Sequence, residues 1–462
     1  MLPQSENAEA VFHSACAYAA HYVQNLEDFP VSRTEIQPFD LPLPEKGWGT
    51  EGVIEFFKKR CEQYLVASSG ARYWGFVTGG TTPASIAGDW LASVFDQNTQ
   101  SLKGNGDISG IIEDTTVKLL LDLFELSQAD FMGGFVTGAT MSNFTCLGVA
   151  RQWLGKQLGI NIALDGVSEP LKILTATPHS SAVKSLSMLG LGSKNFIKIK
   201  TPTERESIDI QDLTQQIEAL NGQPFILISS GGTVNTVDFD DMKAIAELKK
   251  KYNFWWHIDA AFGGFVALND NYKHLLDGWA TADSITIDGH KWLNVPYDSA
   301  FFFTRKEHAT LQVDTFQNAN AAYLGNPFDN FSYLNFGPEN SRRFRALPTF
   351  FTLLAYGKEG YKKIIDENIR LAQRFGQLLT ETNTFILTAP VRVNVVCFAL
   401  KNKENDKNAL DEFLSALAKD GKVFVTPTFY NNQWCIRAAF VNWRTTEKDL
   451  DIALESFKKA LG

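Results

Sequence analysis

The sequence predicts an α/β fold with a mixed, mainly parallel sheet, and three observations lead to this prediction. Strand-like apolar runs alternate with helical patterns over residues 171–303, the order of elements in chains that build parallel sheets. Two of these runs, at 254–259 and 284–287, end abruptly at polar residues or turns. The chain has 462 residues and a hydrophobic fraction of 44%, which is enough for a large core and two or three domains.

The pattern along the chain predicts three parts. Residues 1–75 carry helical patterns at 8–26 and 52–65, separated by a proline-rich stretch, and form an N-terminal helical segment. Residues 76–355 contain the alternating strands and helices and form the large domain. Residues 356–462 change character to the helices and strands of a small α+β domain.

Composition excludes several classes of protein. The formal net charge is −9, the isoelectric point is near 5.4, and basic residues form no large cluster, so nucleic acid is not an expected partner. No apolar run reaches the ~18 residues of a membrane span, and the N-terminus does not resemble a signal peptide. The cysteines show no CxxC spacing, so we expect a cytoplasmic protein with reduced thiols and no metal. They are Cys16, Cys61, Cys146, Cys397 and Cys435.

The most informative stretch surrounds Lys291. A β-rich run at 284–287 is followed by the sequence DGHK, which ends at Lys291, and a second apolar run begins at residue 300. Lys291 therefore lies where a strand ends and a loop begins, and in an open α/β sheet ligands bind at that edge. The alternative is an ordinary surface lysine at a strand end, because lysine is seldom buried without a partner.

A second strand end lies upstream, at Asp259. Aromatic residues lead into it, and a carboxylate at the end of a buried strand needs a compensating partner. Ala260 and Ala261 follow, and their small side chains allow a flat ligand to approach the backbone. A lysine that holds an aldehyde as a Schiff base, opposite an acid that holds a protonated ring nitrogen, is the pair that pyridoxal phosphate requires.

The motifs HIDAAFGG at 257–264 and ADSITIDGHKW at 282–292 resemble the pyridoxal phosphate-dependent amino acid decarboxylases, the group with glutamate and aromatic-L-amino-acid decarboxylases. The resemblance extends over residues 72–444, with several motifs in the family's order. It implies the aspartate aminotransferase-like fold of the PLP-transferases (fold type I), with a central, mainly parallel seven-stranded sheet. It also implies a homodimer with the active site at the subunit interface, in which the N-terminal helical segment wraps the partner subunit.

The resemblance assigns cofactor-binding roles by position. Lys291 matches the Schiff-base lysine, and Asp259 matches the acid on the ring nitrogen, with Ala261 beside it. His179, in the motif PHSSAVKS, matches the histidine that stacks on the ring beside the substrate carboxylate. Without the resemblance, a histidine at a helix start is equally well a polar cap.

Further residues match contacts to the cofactor's phosphate and phenolic oxygen. Gly138, Ala139 and Thr140 match the phosphate-binding residues at the start of a helix, where free N–H groups and the helix dipole favour an anion. The alternative for them is an ordinary helix cap. Thr233 matches the contact to the phenolic oxygen, or is a turn hydroxyl, and His290 matches a phosphate ligand.

Asp288 is also a cofactor-binding candidate, but here the chain departs from the family pattern. Gly289 follows it, whereas many relatives have Asn-Pro or Asp-Pro at these two positions. A carboxylate is a poorer phosphate ligand than an amide, so the resemblance does not define the role of residue 288.

Substrate-binding and proton-transfer roles follow from the same resemblance. Phe76, Val77 and Thr78 match residues that line the substrate pocket, or form a plain loop before a helix. Arg437 matches an arginine that reaches the active site in some relatives, and a domain-boundary ion pair is its alternative. Tyr323, in the motif AAYL, matches a loop tyrosine that protonates the substrate carbon after carbon dioxide leaves, and a hinge aromatic is its alternative.

The resemblance thus implies a carboxy-lyase that converts an L-amino acid to its amine and carbon dioxide. Lys291, His179 and Tyr323 are the expected catalytic residues. Another reaction of the same cofactor is the alternative: aldehyde synthesis, transamination or carbon–carbon bond cleavage. A further alternative, from a different class, is an inactive paralogue that acts as a binding protein.

Overall fold

The computed structural model describes residues 3–37, 40–102, 107–317, 329 and 331–462. Its α-helices are α1 (Ala8–Gln24), α2 (Gly49–Arg60), α3 (Pro83–Phe95), α4 (Ser109–Leu123), α5 (Ala139–Gln157), α6 (Ile162–Asp165), α7 (Ser180–Met188), α8 (Ile210–Ala219), α9 (Met242–Lys249), α10 (Ala309–Phe316), α11 (Ala346–Glu381), α12 (Lys407–Asp420) and α13 (Glu447–Leu461). Its strands are β1 (Phe131–Val136), β2 (Ile173–Thr175), β3 (Ile197–Lys198), β4 (Phe225–Ser230), β5 (Phe254–Asp259), β6 (Ser284–Asp288), β7 (Ala300–Arg305), β8 (Phe385–Leu387), β9 (Val395–Leu400), β10 (Thr426–Tyr430) and β11 (Gln433–Ala439).

A seven-stranded sheet forms the centre of the large domain, with the strand order β1-β7-β6-β5-β4-β2-β3. The strands from β3 to β6 run parallel, whereas β7 is antiparallel to both β6 and β1. Strands β1, β5 and β6 are buried at every residue. Such strands are continuous apolar runs because both faces of a parallel sheet are covered. This architecture confirms the predicted α/β fold with a mainly parallel seven-stranded sheet.

Helix α5 brings the end of β1 to the same edge as the end of β6. It packs across β5, β6 and β7 and is buried along most of its length. Val136, the last residue of β1, pairs with Ala300, which in turn pairs with Asp288. The first turn of α5 and the loop that carries Lys291 therefore start at one edge of the sheet.

The C-terminal part contains a four-stranded antiparallel sheet in the order β10-β11-β9-β8, packed against helices α12 and α13. Its apolar core includes Phe375, Phe398 and Phe457. These elements confirm the small α+β domain. Within α11 the backbone is interrupted at Gly357 (φ 63°), close to the predicted domain boundary at residues 355 and 356.

The N-terminal helices α1 and α2 confirm the helical segment, but neither of them contains a buried residue. The chain that follows α2 joins the small domain instead. Trp74 lies in that domain's core, and the Arg72 guanidinium forms a buried ion pair with Asp449 at 2.9 Å. The segment before the large domain is therefore divided: helices α1 and α2 have no buried residues, whereas Arg72 and Trp74 pack into the small domain.

A second buried ion pair connects α4 to the segment that precedes α11. Arg342 lies 2.6 Å from Glu113, which also accepts a hydrogen bond from the backbone N–H of Phe135 at 3.0 Å. The guanidinium donates to the Phe135 carbonyl and lies over the ring of Tyr333.

Among the described helices, none is long and apolar enough to cross a bilayer.

Candidate active site

A cavity of about 530 Å³ opens at the edge of the sheet where β4 and β5 end. The predicted site residues that line it are Phe76, Val77, His179, Thr233, Asp259, Ala261, Lys291 and Arg437. The structure does not place Thr78, Gly138, Ala139, Thr140, Asp288 or His290 in this lining. Tyr323 lies outside the described residues. The cavity is bounded by both domains, because Thr428 of β10 and Arg437 of β11 belong to the small domain.

Lys291 is held in a tightly packed loop after β6. Its ammonium group lies 2.9 Å from Asp288 Oδ2, and its side chain is 12% exposed. Gly79 packs directly on this loop, and a Cβ atom at residue 79 would lie 1.6 Å from the Lys291 carbonyl oxygen. Only glycine fits there, so Gly79 is a site-forming residue that the sequence analysis missed.

Asp288 has one carboxylate oxygen that faces Lys291 and one that has no partner in the described part of the chain. Oδ1 is buried and makes no hydrogen bond among the described residues, while Oδ2 faces the ammonium group. A Cβ atom at the following Gly289 would lie 2.4 Å from Ser299 Oγ, so a larger residue there would require that side chain to move.

Asp259 ends β5 with its charge compensated by hydrogen bonds. Its Oδ2 accepts from Asn143 Nδ2 at 3.0 Å and its Oδ1 accepts from the Ala261 N–H at 3.3 Å. The residue is 7% exposed and lines the cavity. Each oxygen keeps a lone pair, so the carboxylate can accept a further hydrogen bond from a protonated nitrogen in the cavity.

His179 occupies the N-cap position of α7 and faces the same cavity. Its Nδ1 lies 2.7 Å from Ser181 Oγ and accepts the backbone N–H of Ser181 at 3.3 Å. Burial lowers the pKa of His179, and the charge on Asp259 only partly opposes this effect. The ring is therefore neutral at physiological pH.

A buried histidine that the sequence analysis did not assign lies behind these residues. His257 contacts Asn143 Oδ1 through Nε2 at 2.8 Å and Ser284 Oγ through Nδ1 at 2.9 Å. Complete burial lowers its pKa to about 4. The HIDAAFGG motif contains His257, but only the folded structure shows that its partner is Asn143, an amide from α5.

Thr233 lines the cavity, but its hydroxyl group is already engaged. Its Oγ1 donates to Glu206 Oε2 at 2.6 Å and accepts from the Asp238 N–H at 2.9 Å. Glu206 also lines the cavity and accepts from Asn235 and Thr236. A contact from Thr233 to the phenolic oxygen of a cofactor would require the bond to Glu206 to break, so that role stays a prediction.

Three of the four predicted substrate residues have either a left-handed backbone or a donor without a partner among the described residues. Phe76 and Val77 have φ values of 58° and 57°, a left-handed conformation that costs non-glycine residues about 1–3 kcal/mol each. The neighbouring Thr78 hydroxyl lies 3.0 Å from that of Tyr297. Arg437 donates to the Val234 carbonyl at 3.1 Å, and its buried Nε has no partner among the described residues.

The predicted phosphate-binding residues lie at the start of α5. Among the described residues, no acceptor bonds the backbone N–H groups of Ala139 and Thr140, and the space beside Gly138 is open. His290 donates from Nδ1 to the Ser299 carbonyl at 3.0 Å, and its ring packs against Tyr297. Free N–H groups at a helix start suit an anion.

The fold and these groups together suit pyridoxal phosphate. An amine and a carboxylate that has spare acceptor capacity line one cavity, and helix N–H groups lie at the same edge of the sheet. Lys291 would hold the aldehyde carbon, Asp259 the ring nitrogen and the start of α5 the phosphate. The class that the fold and site define is therefore a pyridoxal phosphate-dependent enzyme.

Comparison with known proteins identifies the family. The family described as the pyridoxal-dependent decarboxylase conserved domain matches residues 35–401. The chain is 25% identical over 463 residues to an aromatic-L-amino-acid decarboxylase of Bacillus atrophaeus, covering 96% of this chain and 94% of that protein. It is 24% identical over 472 residues to a phenylacetaldehyde synthase of Arabidopsis thaliana, covering 96% and 94%.

The fold is likewise similar to that of a solved structure, the tryptophan decarboxylase of Catharanthus roseus with L-tryptophan, with a TM-score of 0.88 at 20% identity. The similarity covers 100% of this chain and 99% of the solved one. The chain belongs to the pyridoxal-dependent decarboxylase family. Its cofactor is pyridoxal phosphate and its class is that of the carboxy-lyases, as the sequence predicted.

The neutral, buried His257 predicts a pH dependence of stability. Between about pH 6.5, the ordinary pKa of histidine, and the native pKa of about 4, the unfolded chain binds a proton that the folded chain does not. The free energy of unfolding should therefore fall with falling pH, by up to about 1.4 kcal/mol per pH unit from this residue. His179 contributes with the same sign. Urea unfolding at several pH values from 7 to 5 measures the slope.

His257→Gln keeps a neutral hydrogen-bonding side chain and should flatten this slope. His274→Gln, which changes an exposed histidine, is the matched control and should keep the wild-type slope. Equal slopes for the wild type and His257→Gln would contradict the prediction.

Proposed function

We propose that this enzyme decarboxylates an L-amino acid to the corresponding amine and carbon dioxide, with the cofactor held through a Schiff base to Lys291. The observation that carries the proposal is that Lys291, Asp259 and His179 line one cavity in a member of this family. A binding protein without catalytic activity would have no need for these three groups in one cavity.

The residues around the cavity support each step of this reaction. When bound, pyridoxal phosphate supplies an electron sink for the pair of electrons left by carbon dioxide. Asp259 would hold the protonated ring nitrogen, and the hydrogen bonds that both of its oxygens accept orient the carboxylate for this role. Asp288 lies beside Lys291, and one of its oxygens, 2.9 Å from the ammonium group, orients the amine in the loop after β6.

Two features of the cavity bear on the substrate. Phe76, Val77 and Phe262 supply apolar walls, which suit an apolar or aromatic side chain. Arg437 supplies a buried cation whose Nε has no partner in the part of the chain that the structure describes, and such a group suits a carboxylate. The relatives named above act on aromatic amino acids or form an aromatic aldehyde, and we propose an aromatic L-amino acid as the first substrate to test.

Aldehyde synthesis is the second candidate function. The phenylacetaldehyde synthase of Arabidopsis thaliana matches the chain with almost the same identity and coverage as the Bacillus atrophaeus decarboxylase. The choice between the two reactions depends on the fate of the carbon that loses carbon dioxide. Tyr323 is the residue that we propose to protonate it.

Lys291→Ala tests the proposed cofactor linkage. The wild-type protein, purified with pyridoxal phosphate, should absorb visible light, and borohydride should bleach it and attach the cofactor to the peptide that contains Lys291. The variant should form no such adduct and lose about a thousandfold or more in activity, because the imine-forming amine is gone. Lys358→Ala, which removes an exposed lysine paired with Glu125, is the control.

Carbon dioxide release from the twenty amino acids, diaminobutyrate and cysteine sulfinate identifies the substrate. An adduct at Lys291 without turnover of any of these compounds would contradict decarboxylation and favour an inactive paralogue.

Tyr323→Phe tests the partition between amine and aldehyde. If the phenol protonates the substrate carbon, the variant should produce less amine. It should produce more aldehyde, with dissolved oxygen as the two-electron oxidant, or more transamination product, in which the cofactor is converted to its amine form, since neither outcome needs a proton from residue 323. Chromatography of the products after a fixed release of carbon dioxide measures the ratio. Tyr252→Phe, at a partly exposed tyrosine, is the control. An unchanged amine fraction in Tyr323→Phe would remove this residue from the mechanism.

We also propose that the enzyme is a homodimer with the active site at the subunit interface. The N-terminal helices expose apolar side chains, among them Phe12 (58% exposed) and Val53 (52% exposed). Phe76 lines the cavity and is 61% exposed in the single chain. A second copy that packs against these surfaces would bury both and close the cavity.

Light scattering after size exclusion tests the dimer. The wild type should have twice the chain mass of 51.5 kDa. The double variant Phe12→Asp, Val53→Asp should be monomeric at protein concentrations at which the wild type is still a dimer, because it places charges in an apolar contact. Leu164→Asp changes an 82% exposed leucine elsewhere and should leave the mass unchanged. A monomeric wild type at micromolar concentration would refute the proposal.

A further inference from the structure

A single buried amide, that of Asn143, connects the two sides of the active site. Asn143 lies in the first turns of α5 and is completely buried. Its Nδ2 is 3.0 Å from Asp259 Oδ2 and 3.1 Å from Ser181 Oγ, and its Oδ1 is 2.8 Å from His257 Nε2. Both N–H groups of the Asn143 amide and one lone pair of its oxygen are therefore engaged, and the second lone pair of that oxygen remains.

The direction of each hydrogen bond on the Asp259 side follows from chemistry. An ionised carboxylate only accepts, so the Asn143 nitrogen faces Asp259 and its oxygen faces His257. His257 Nε2 must then carry a proton. Because its pKa is about 4, the ring is neutral and its Nδ1 accepts from Ser284 Oγ. The Ser284 oxygen in turn accepts from Trp255 Nε1, which can only donate.

The second N–H of the amide strengthens the hydrogen bonding that places the proton of His179 on Nε2. It donates to Ser181 Oγ, which leaves the proton of that hydroxyl free to point at His179 Nδ1, 2.7 Å away. The backbone N–H of Ser181 donates to the same nitrogen. Nδ1 therefore accepts two hydrogen bonds, and the neutral ring carries its proton on Nε2. The cavity is offered a hydrogen-bond donor by His179.

We propose that Asn143 is a positioning residue that acts on two groups of the site at once: it holds the Asp259 carboxylate by a direct hydrogen bond, and through Ser181 Oγ it stabilises the Nε2–H tautomer of His179. Asn143 does not line the cavity, and it acts through these two neighbours. The inference rests on the roles proposed above for Asp259 and His179. Its consequence is that cofactor binding and the donor offered to the substrate depend on the same side chain.

Asn143→Leu tests this proposal, because leucine has a similar size and none of the hydrogen bonds. Thr145→Val is the matched control: Thr145 is buried in the same helix, but its hydroxyl donates only to the Met141 carbonyl. The first readout is the dissociation constant of pyridoxal phosphate, measured by absorbance. We expect it to rise about tenfold or more in Asn143→Leu, because Asp259 loses a donor in a buried site, and to be unchanged in Thr145→Val.

The second readout is the tautomer of His179 in the protein with and without cofactor. Couplings between ring protons and nitrogens in protein labelled with ¹⁵N-histidine report it, and the spectrum of His179→Gln assigns the signals. The wild type should show an unprotonated Nδ1 and a protonated Nε2. Asn143→Leu should show a mixture of tautomers or a proton exchange that the wild type and Thr145→Val lack.

Ser181→Ala separates the effect on His179 from the effect on Asp259. It also provides a test if Asn143→Leu does not fold. It removes the hydroxyl that faces His179 and leaves the Asn143–Asp259 bond in place, so the tautomer ratio should change while the cofactor dissociation constant stays within about twofold of the wild type. Asn143→Asp preserves the side-chain volume but places a second carboxylate against Asp259, and it should weaken cofactor binding at neutral pH.

The outcome that overturns the inference is distinct from failure of the proposed reaction. If Asn143→Leu and Asn143→Asp show wild-type cofactor affinity and a wild-type tautomer of His179, Asn143 has no positioning role. A wild-type tautomer in Ser181→Ala refutes the effect of Asn143 on His179. Both readouts are independent of which amino acid is turned over. An enzyme that releases no carbon dioxide but shows the expected shifts would refute the reaction and support the role of Asn143.

Discussion

The buried carboxylate of Asp259 is the constraint on which the rest of the site depends. A charge at the end of a strand that is covered on both faces is costly unless hydrogen bonds compensate it. The Ala261 N–H compensates it from the next turn, and Asn143 does so from α5. Helix α5 must therefore cross the sheet over β5, and this position also brings the start of α5 to the edge where Lys291 lies.

The loops around Lys291 depend on close backbone contacts that few residues allow. Gly79 touches the Lys291 carbonyl, and its N–H donates to the His290 carbonyl at 3.0 Å. Just before it, Phe76 and Val77 adopt left-handed backbones beside the cavity. The small domain closes the same cavity with Arg437. The lysine is thus held by segments that are far apart in the chain, and strain in one of them is compensated by packing in the others.

The central sheet and the small domain could be predicted from the sequence. In the small domain, one strand differs in its start from what the apolar pattern indicates. Residues 422–426 carry a strand-like apolar pattern, but β10 begins at Thr426. The preceding Phe424 instead pairs with Tyr73, and its backbone bonds to Arg72 and Trp74. The apolar pattern correctly indicated buried residues there. It could not indicate the partner, because strand pairing between segments so distant in sequence leaves no local signal.

By itself the sequence determined the positions of Lys291 and Asp259 at strand ends, because hydrophobic runs and the turns after them are local properties of the chain. It also determined the family, through motifs carried by the same stretches. Only the tertiary structure decided which groups surround those two residues. Asn143, Glu206 and Gly79 belong to other segments, and their roles arise from hydrogen bonds and close packing across the fold. Such contacts depend on three-dimensional position, which residue spacing along one segment does not contain.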